Sequence, residues 1–196
     1  MLYLALILIS AALITLINTA VAGFGTAVFL KMLLTVAAAI IAVFIIDALA
    51  ALFARRLPER WFLPEARLFS VGKREIAFIR KTKINLWKRV VPEWGCFTGF
   101  HKDKLRSSSD SEYLGRFLIE SNYGVLGHIL GALLGFLILL IPQLRPLSVA
   151  LPVALTNALL SLLPTAVLRF NTPALRRLYR RSLKASRKDN ESREEQ

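Results

Sequence analysis

The sequence predicts an all-α integral membrane protein. Four transmembrane helices are paired as two hairpins, with a basic amphipathic cytoplasmic segment between them. Three observations carry this. Of the 196 residues, 55% are hydrophobic and the mean hydropathy is +0.53, too apolar for a soluble domain. The apolar residues are gathered into four blocks, each of about the 20 residues that cross a bilayer. The formal net charge of +13 is concentrated outside those blocks.

The blocks follow in order. Met1–Ala22 carries no charge. A cleaved signal peptide is its rival, because "NTAVAGFGTA" offers small residues at a cleavage point. No positive residue precedes the run, however, and the run is longer than a signal core, so a retained span is expected. Met32–Phe53 carries one charge, Asp47, read as snorkelling or pairing with Arg55 or Arg56. Its alternative is a place in a polar pocket with the later spans. Lys31 snorkels outward. Tyr123–Gln143 carries no Asp, Glu, Lys or Arg and one histidine, His128, and Leu147–Leu168 carries neither charge nor histidine. The resulting division is an N-terminal hairpin at 1–54, an interfacial segment at 55–111, a C-terminal hairpin with a basic helix at 112–182, and a disordered tail at 183–196.

Between Arg55 and Arg106 there are 14 basic and 5 acidic side chains, and from Arg169 onward 9 basic and 4 acidic. The connectors "AGFGT" and "PQLRP" hold one charge between them, Arg145. The positive-inside rule therefore places both termini and the 55–111 segment in the cytoplasm. Tight connectors make each pair of spans an antiparallel hairpin.

The central segment interleaves aromatic and basic residues. "LPERWFLPEARLF" sets Trp61, Phe62, Leu63, Leu68 and Phe69 around Pro58 and Pro64. "REIAFIRKTKINLWKRVV" lines Ile76, Ile79, Lys83, Trp87 and Val90 along one helical stripe, with Arg80, Lys81 and Lys88 elsewhere. Rings at the membrane boundary and cations on lipid phosphates suit that pattern. Nucleic acid is the competing partner, and tethering between two spans favours lipid over it. In "RSSSDSEYL", Ser109, Asp110 or Ser111 caps the third long helix, with Glu112 in its first turn. Cys96 and His101 have no partner at ligand spacing. No metal site, P-loop or hydrolase motif is present.

The third span raises the functional question. At about 100° per residue, Glu120, Gly124, Gly127, His128, Gly131 and Gly135 share one stripe. Gly127, Gly131 and Gly135 are spaced to let another helix, of this chain or of an oligomeric partner, approach closely. Asn157, Ser161, Thr165 and Arg169 form a matching stripe on span four. Folding the two spans about Leu144 and Arg145 pairs Glu120 with Arg169, Gly124 with Thr165, His128 with Ser161, and Ala132 with Asn157. Glu120 and His128 then stand about 12 Å apart along the axis. One reading makes Glu120–Arg169 an interfacial ion pair and His128 a satisfied polar anchor. The other makes them functional, as ionisable groups at membrane depth usually are. Histidine, whose unperturbed pKa is about 6.5, is the residue type suited to proton transfer at neutral pH.

These residues bear a family resemblance. "LPERWF", "KINLWKRVVPE", "YLGRFLIESNYGVLGHIL" and "LPTAVLRFNTPALRRL" resemble, in order and spacing, motifs of the glycosyl-diaponeurosporenoate acyltransferases. These are small integral membrane enzymes of carotenoid synthesis. The resemblance spans about Leu57 to Arg181. The family helix usually places a basic residue and a second acid between the Glu and the His, and here those positions are Tyr123 and Val125.

The resemblance implies a multi-pass bacterial cell-membrane enzyme. It would acylate a lipid-linked or glycosylated, carotenoid- or isoprenoid-like acceptor at the cytoplasmic leaflet, without cofactor or metal. His128 would take the acceptor hydroxyl's proton, and Glu120 and Arg169 would hold the site together. Asn171 and Ser161 would contact polar substrate, and Lys83, Trp87 and Lys88 would hold a headgroup or the acyl donor's phosphates. The alternative is a non-catalytic lipid-binding or assembly partner within a membrane complex.

Overall fold

The computed structural model describes residues 2–91 and 107–194. Cys96, His101 and the last two residues of the tail lie outside that range. Six α-helices follow one another: α1 (Leu2–Ala22), α2 (Thr26–Arg56), α3 (Lys73–Lys81), α4 (Ile84–Trp87), α5 (Ser111–Leu134) and α6 (Leu151–Glu194). Four helical stretches are long and apolar enough to cross a membrane: Tyr3–Ala22, Thr26–Arg56, Ser111–Leu140 and Leu147–Lys188. Each overlaps one of the four blocks named above.

Local chemistry explains the helix ends. α1 stops at Gly23, whose φ of 91° is a left-handed conformation that glycine adopts without a Cβ penalty. Among the three candidate caps of α5, Asp110 is the one used: its Oδ1 accepts from the Tyr113 amide at 3.0 Å. After Leu134 the winding tightens into a 3-10 stretch over Gly135–Leu140.

Two corrections arise in the soluble-facing sequence. The stripe through Ile76, Ile79, Lys83, Trp87 and Val90 is not one helix. The chain breaks at Lys83, which stands at φ 53° between α3 and α4. The Thr82 hydroxyl donates to the Ile79 carbonyl at 2.7 Å, and the break turns Ile84 inward in place of Lys83. At the other end, α6 continues through 183–194, where a disordered tail is expected. Good helix formers explain this, with Arg187 and Glu191 spaced to pair across one turn.

The chain divides into two compact units, Met1–Arg55 with Leu126–Pro164, and Arg56–Val125 with Thr165–Gln196. The first has a core of Ile14, Val36, Ala39, Val43, Ile138 and Val153 with neighbouring small residues. Its outer face carries exposed apolar side chains such as Leu8, Ile17, Ile45 and Leu159, the surface a bilayer would cover. Tyr3 donates its hydroxyl proton to the Leu160 carbonyl at 2.9 Å, and Asn18 donates to the Ser148 carbonyl at 2.8 Å.

The second unit is organised by Phe62, whose side chain is fully buried. Its ring stacks on Tyr123 at 3.8 Å and tilts against Phe69 at 5.4 Å. The Asn122 amide donates to the Phe62 carbonyl at 2.9 Å, and the Tyr123 hydroxyl to the Leu57 carbonyl at 3.2 Å. The "LPERWF" segment is thereby clamped onto α5. Of the five apolar residues read as boundary groups, Phe62 and Phe69 are core, while Trp61, Leu63 and Leu68 stay exposed. Phe62→Ala is therefore expected to cost about 3–5 kcal/mol. Trp61→Ala should stay within about 0.5 kcal/mol. Thermal unfolding in mild detergent measures both.

Candidate functional site

The glycine stripe of α5 is filled from within the chain. A Cβ built at Gly131 would stand 2.7 Å from Asp47 Oδ1, and one at Gly135 would stand 2.8 Å from Asn157 Nδ2. At Gly127 the nearest atom is the Ala51 Cα at 3.7 Å, an ordinary contact. Thus α2 and α6 supply the close neighbours that the spacing predicts. An oligomer using this face would have to displace Asp47 and Asn157.

Asp47 departs from the pairing expected of it. Its Oδ1 accepts from Asn157 Nδ2 at 3.2 Å, in place of a bond to Arg55 or Arg56. The same Nδ2 reaches the Gly131 carbonyl at 3.4 Å, one residue from the expected Ala132. A carboxylate at this depth needs a donor, and only the packing of α2 against α5 and α6 makes Asn157 available. Asn157 thus stands within one residue of its expected depth, and Asp47 takes the alternative place among the polar groups of the later spans.

The pairing of Glu120 with Arg169 is overturned. Glu120 is 1% exposed and accepts from Arg116 at 2.7 Å, one turn before it on α5. Arg116 also lies 3.6 Å from Glu59. Arg169 instead grips Glu75 through Nε and a terminal nitrogen, the latter at 2.7 Å, and donates to the Ser70 carbonyl at 3.2 Å. Equal depth along two helices ignored α3, whose first turn presents Glu75 to α6. Arg116 was visible in the sequence through its four-residue spacing to Glu120.

The remaining residues fall into two groups. Half-buried His128 and buried Ser161 belong to the first unit. Lys83, Trp87, Lys88, Arg169 and Asn171 belong to the second. Lys83 is exposed at the helix break, and the Trp87 indole N–H donates to the Thr82 carbonyl at 2.9 Å. Lys88 Nζ stands 5.3 Å from the Phe170 ring centroid, a cation–π contact. Asn171 and Phe170 line a groove of about 770 Å³ between α3 and α6. Tyr123 and Val125 are both buried.

Four apolar helices of spanning length, with a carboxylate and a histidine placed on one of them, point by length and composition to a helical membrane protein. The family model for the glycosyl-4,4'-diaponeurosporenoate acyltransferases matches residues 58–181, more than half of the chain. The chain belongs to that family, and at family level its class is acyltransferase. Neither a curated protein nor a solved structure matches it.

Two predictions follow from these contacts. Gly131→Ala must push Asp47 aside and is expected to destabilise by about 1–3 kcal/mol. Gly127→Ala should be neutral or stabilise by up to about 1 kcal/mol through helix propensity. The double variant Gly131→Ala, Asp47→Ala should recover part of the loss, as a melting comparison will show. The second concerns Glu65, which Arg180 grips at 2.9 and 2.6 Å. Hydrogen bonds from Arg180 hold the Glu65 carboxyl below its ordinary 4.5, with partial burial opposing them. The lowered folded-state pKa means that this stabilisation is complete above about 4.5 and fades as pH falls through the folded value. Because the pair is largely exposed, solvent screening keeps its contribution small. The melting difference between wild type and Glu65→Gln should be small at pH 7 and vanish in acid.

Proposed function

We propose that this protein is a membrane-embedded transferase that moves an acyl group onto a hydroxyl of a lipid-linked or glycosylated, carotenoid- or isoprenoid-like acceptor at the cytoplasmic leaflet. The observation that carries this is the family match over 58–181, which takes in all of α3, α4 and α5 and most of α6. The excess of basic residues in 55–111 and after Arg169 supports cytoplasmic placement of both, with the spans paired as hairpins through the two short connectors.

The chemistry requires a base at the acceptor hydroxyl and a donor for the carbonyl oxygen that becomes negative. His128 takes the hydroxyl proton as the oxygen attacks the acyl carbonyl. An ester bond forms, the bond from the acyl carbon to its carrier breaks, and the proton passes from His128 to the departing carrier. Ser161 and Asn171 contact polar parts of the substrates, and Lys83, Trp87 and Lys88 hold a headgroup or donor at the boundary. Glu120 acts through its ion pair with Arg116, which holds α5 to Glu59. Arg169 does the same for α3 through Glu75. Both are positioning residues in this account.

His128→Ala is expected to lower the transfer rate by about 10²–10⁴-fold, the usual contribution of a general base, without changing the melting temperature. The measurement is mass spectrometry of lipids copurifying with each form in mild detergent. A discrete glycolipid or polyisoprenoid in both, with its acylated form missing from the variant, supports the mechanism. Bulk phospholipid alone, identical in both, would favour a lipid-binding or assembly role.

A further inference from the structure

In the second unit three arginines meet carboxylates. Arg169 meets Glu75, Arg180 meets Glu65, and Arg116 meets Glu59 and Glu120. The groove between α3 and α6 instead gathers cations that have no such partner. Lys73, Arg80 and Lys81 enter it from α3, and Arg177 from α6. None of these four has an ion-pair partner among the described residues, and no carboxylate lines the groove. The Arg169–Glu75 pair removes the one acid of α3 by drawing it toward α6.

The four cations are solvent-exposed, so water screens their mutual repulsion, and together they give the groove of about 770 Å³ a positive potential that attracts an anion. The groove also offers Asn171 as a neutral donor, and Phe170, backed by the Lys88 cation, as an apolar wall. The N-terminus of α3 opens onto it at Gly72 without a side-chain cap. Arginine forks and lysine point charges around a volume of this size suit a phosphate group or a pair of them.

We propose that this groove is a phosphate-binding site, held by Lys73, Arg80, Lys81 and Arg177. Its ligand carries a phosphate at the membrane boundary, as the headgroup of an anionic lipid or as the phosphates of a soluble nucleotide thioester. Binding at the groove does not rest on the transfer reading, since it is measured as affinity and His128→Ala should leave it unchanged.

The test uses the full chain in phosphatidylcholine nanodiscs. Coenzyme A is titrated by calorimetry, and phosphatidylglycerol retention in mixed discs is followed by native mass spectrometry. The variant Lys73→Gln, Arg80→Gln, Arg177→Gln removes three groove cations that hold no partner. A control, Lys184→Gln, Arg187→Gln, Lys188→Gln, removes the same charge from exposed positions near the end of α6. The groove variant should weaken at least one probe by about tenfold or more, and the control by less than about twofold. Loss confined to coenzyme A identifies a soluble phosphate ligand, and loss confined to phosphatidylglycerol identifies a headgroup. Should the triple variant unfold, Arg177→Gln alone is compared with Arg187→Gln in the same way. Equal effects of groove and control variants on both probes, or none from either, would overturn the site.

Discussion

A polar group inside hydrocarbon has no water to bond, so the chain itself must answer it. That constraint organises the membrane-spanning part of this protein. Hydroxyls turn back on their own helices: Thr19 donates to the Thr15 carbonyl, Ser121 to Phe117 and Thr156 to Pro152. Amides reach across: Asn18 finds the Ser148 carbonyl, and Asn157 finds both Asp47 and Gly131. The buried Thr15 hydroxyl is the exception in the first unit, among the described residues. Glycine at 131 and 135 is the cost of admitting Asp47 and Asn157, because a methyl group at either position would occupy their space.

The second unit obeys a different version of the same rule. Here ion pairs join the amide and hydroxyl bonds, and carboxylates on the connecting segments tie down arginines on α5 and α6. Phe62 and Asn122 fix the first connecting segment on α5, and the Arg169–Glu75 pair fixes α3 against α6. Among the cations this arrangement leaves without an acid are the four that line the basic groove.

Much of this was readable from the sequence. The four spanning helices follow from hydropathy and length, and the Asp110 cap from residue type. The family follows from the order of "LPERWF", the α5 helix and the closing arginine segment. Other features required the fold. Glu120 was matched to Arg169 by depth, yet the nearer Arg116 lay one turn away on the same helix. Asp47 looked like an interfacial group because nothing in its own neighbourhood names Asn157, 110 residues later. The break at Lys83 interrupts a stripe whose periodicity continues through it, and only burial of Ile84 reveals the change. The groove escaped notice because Lys73, Arg80 and Arg177 come from two distant stretches of chain.

Under the proposed function, this chain transfers an acyl group from a thioester to a membrane lipid. The most direct measurement incubates the purified full chain, in nanodiscs containing a polar membrane-lipid extract, with a labelled long-chain acyl thioester. The account predicts time- and protein-dependent label in a new lipid ester, with stoichiometric release of free thiol. Thiol release no faster than in empty discs, with no labelled ester from any fraction of the extract, would contradict it.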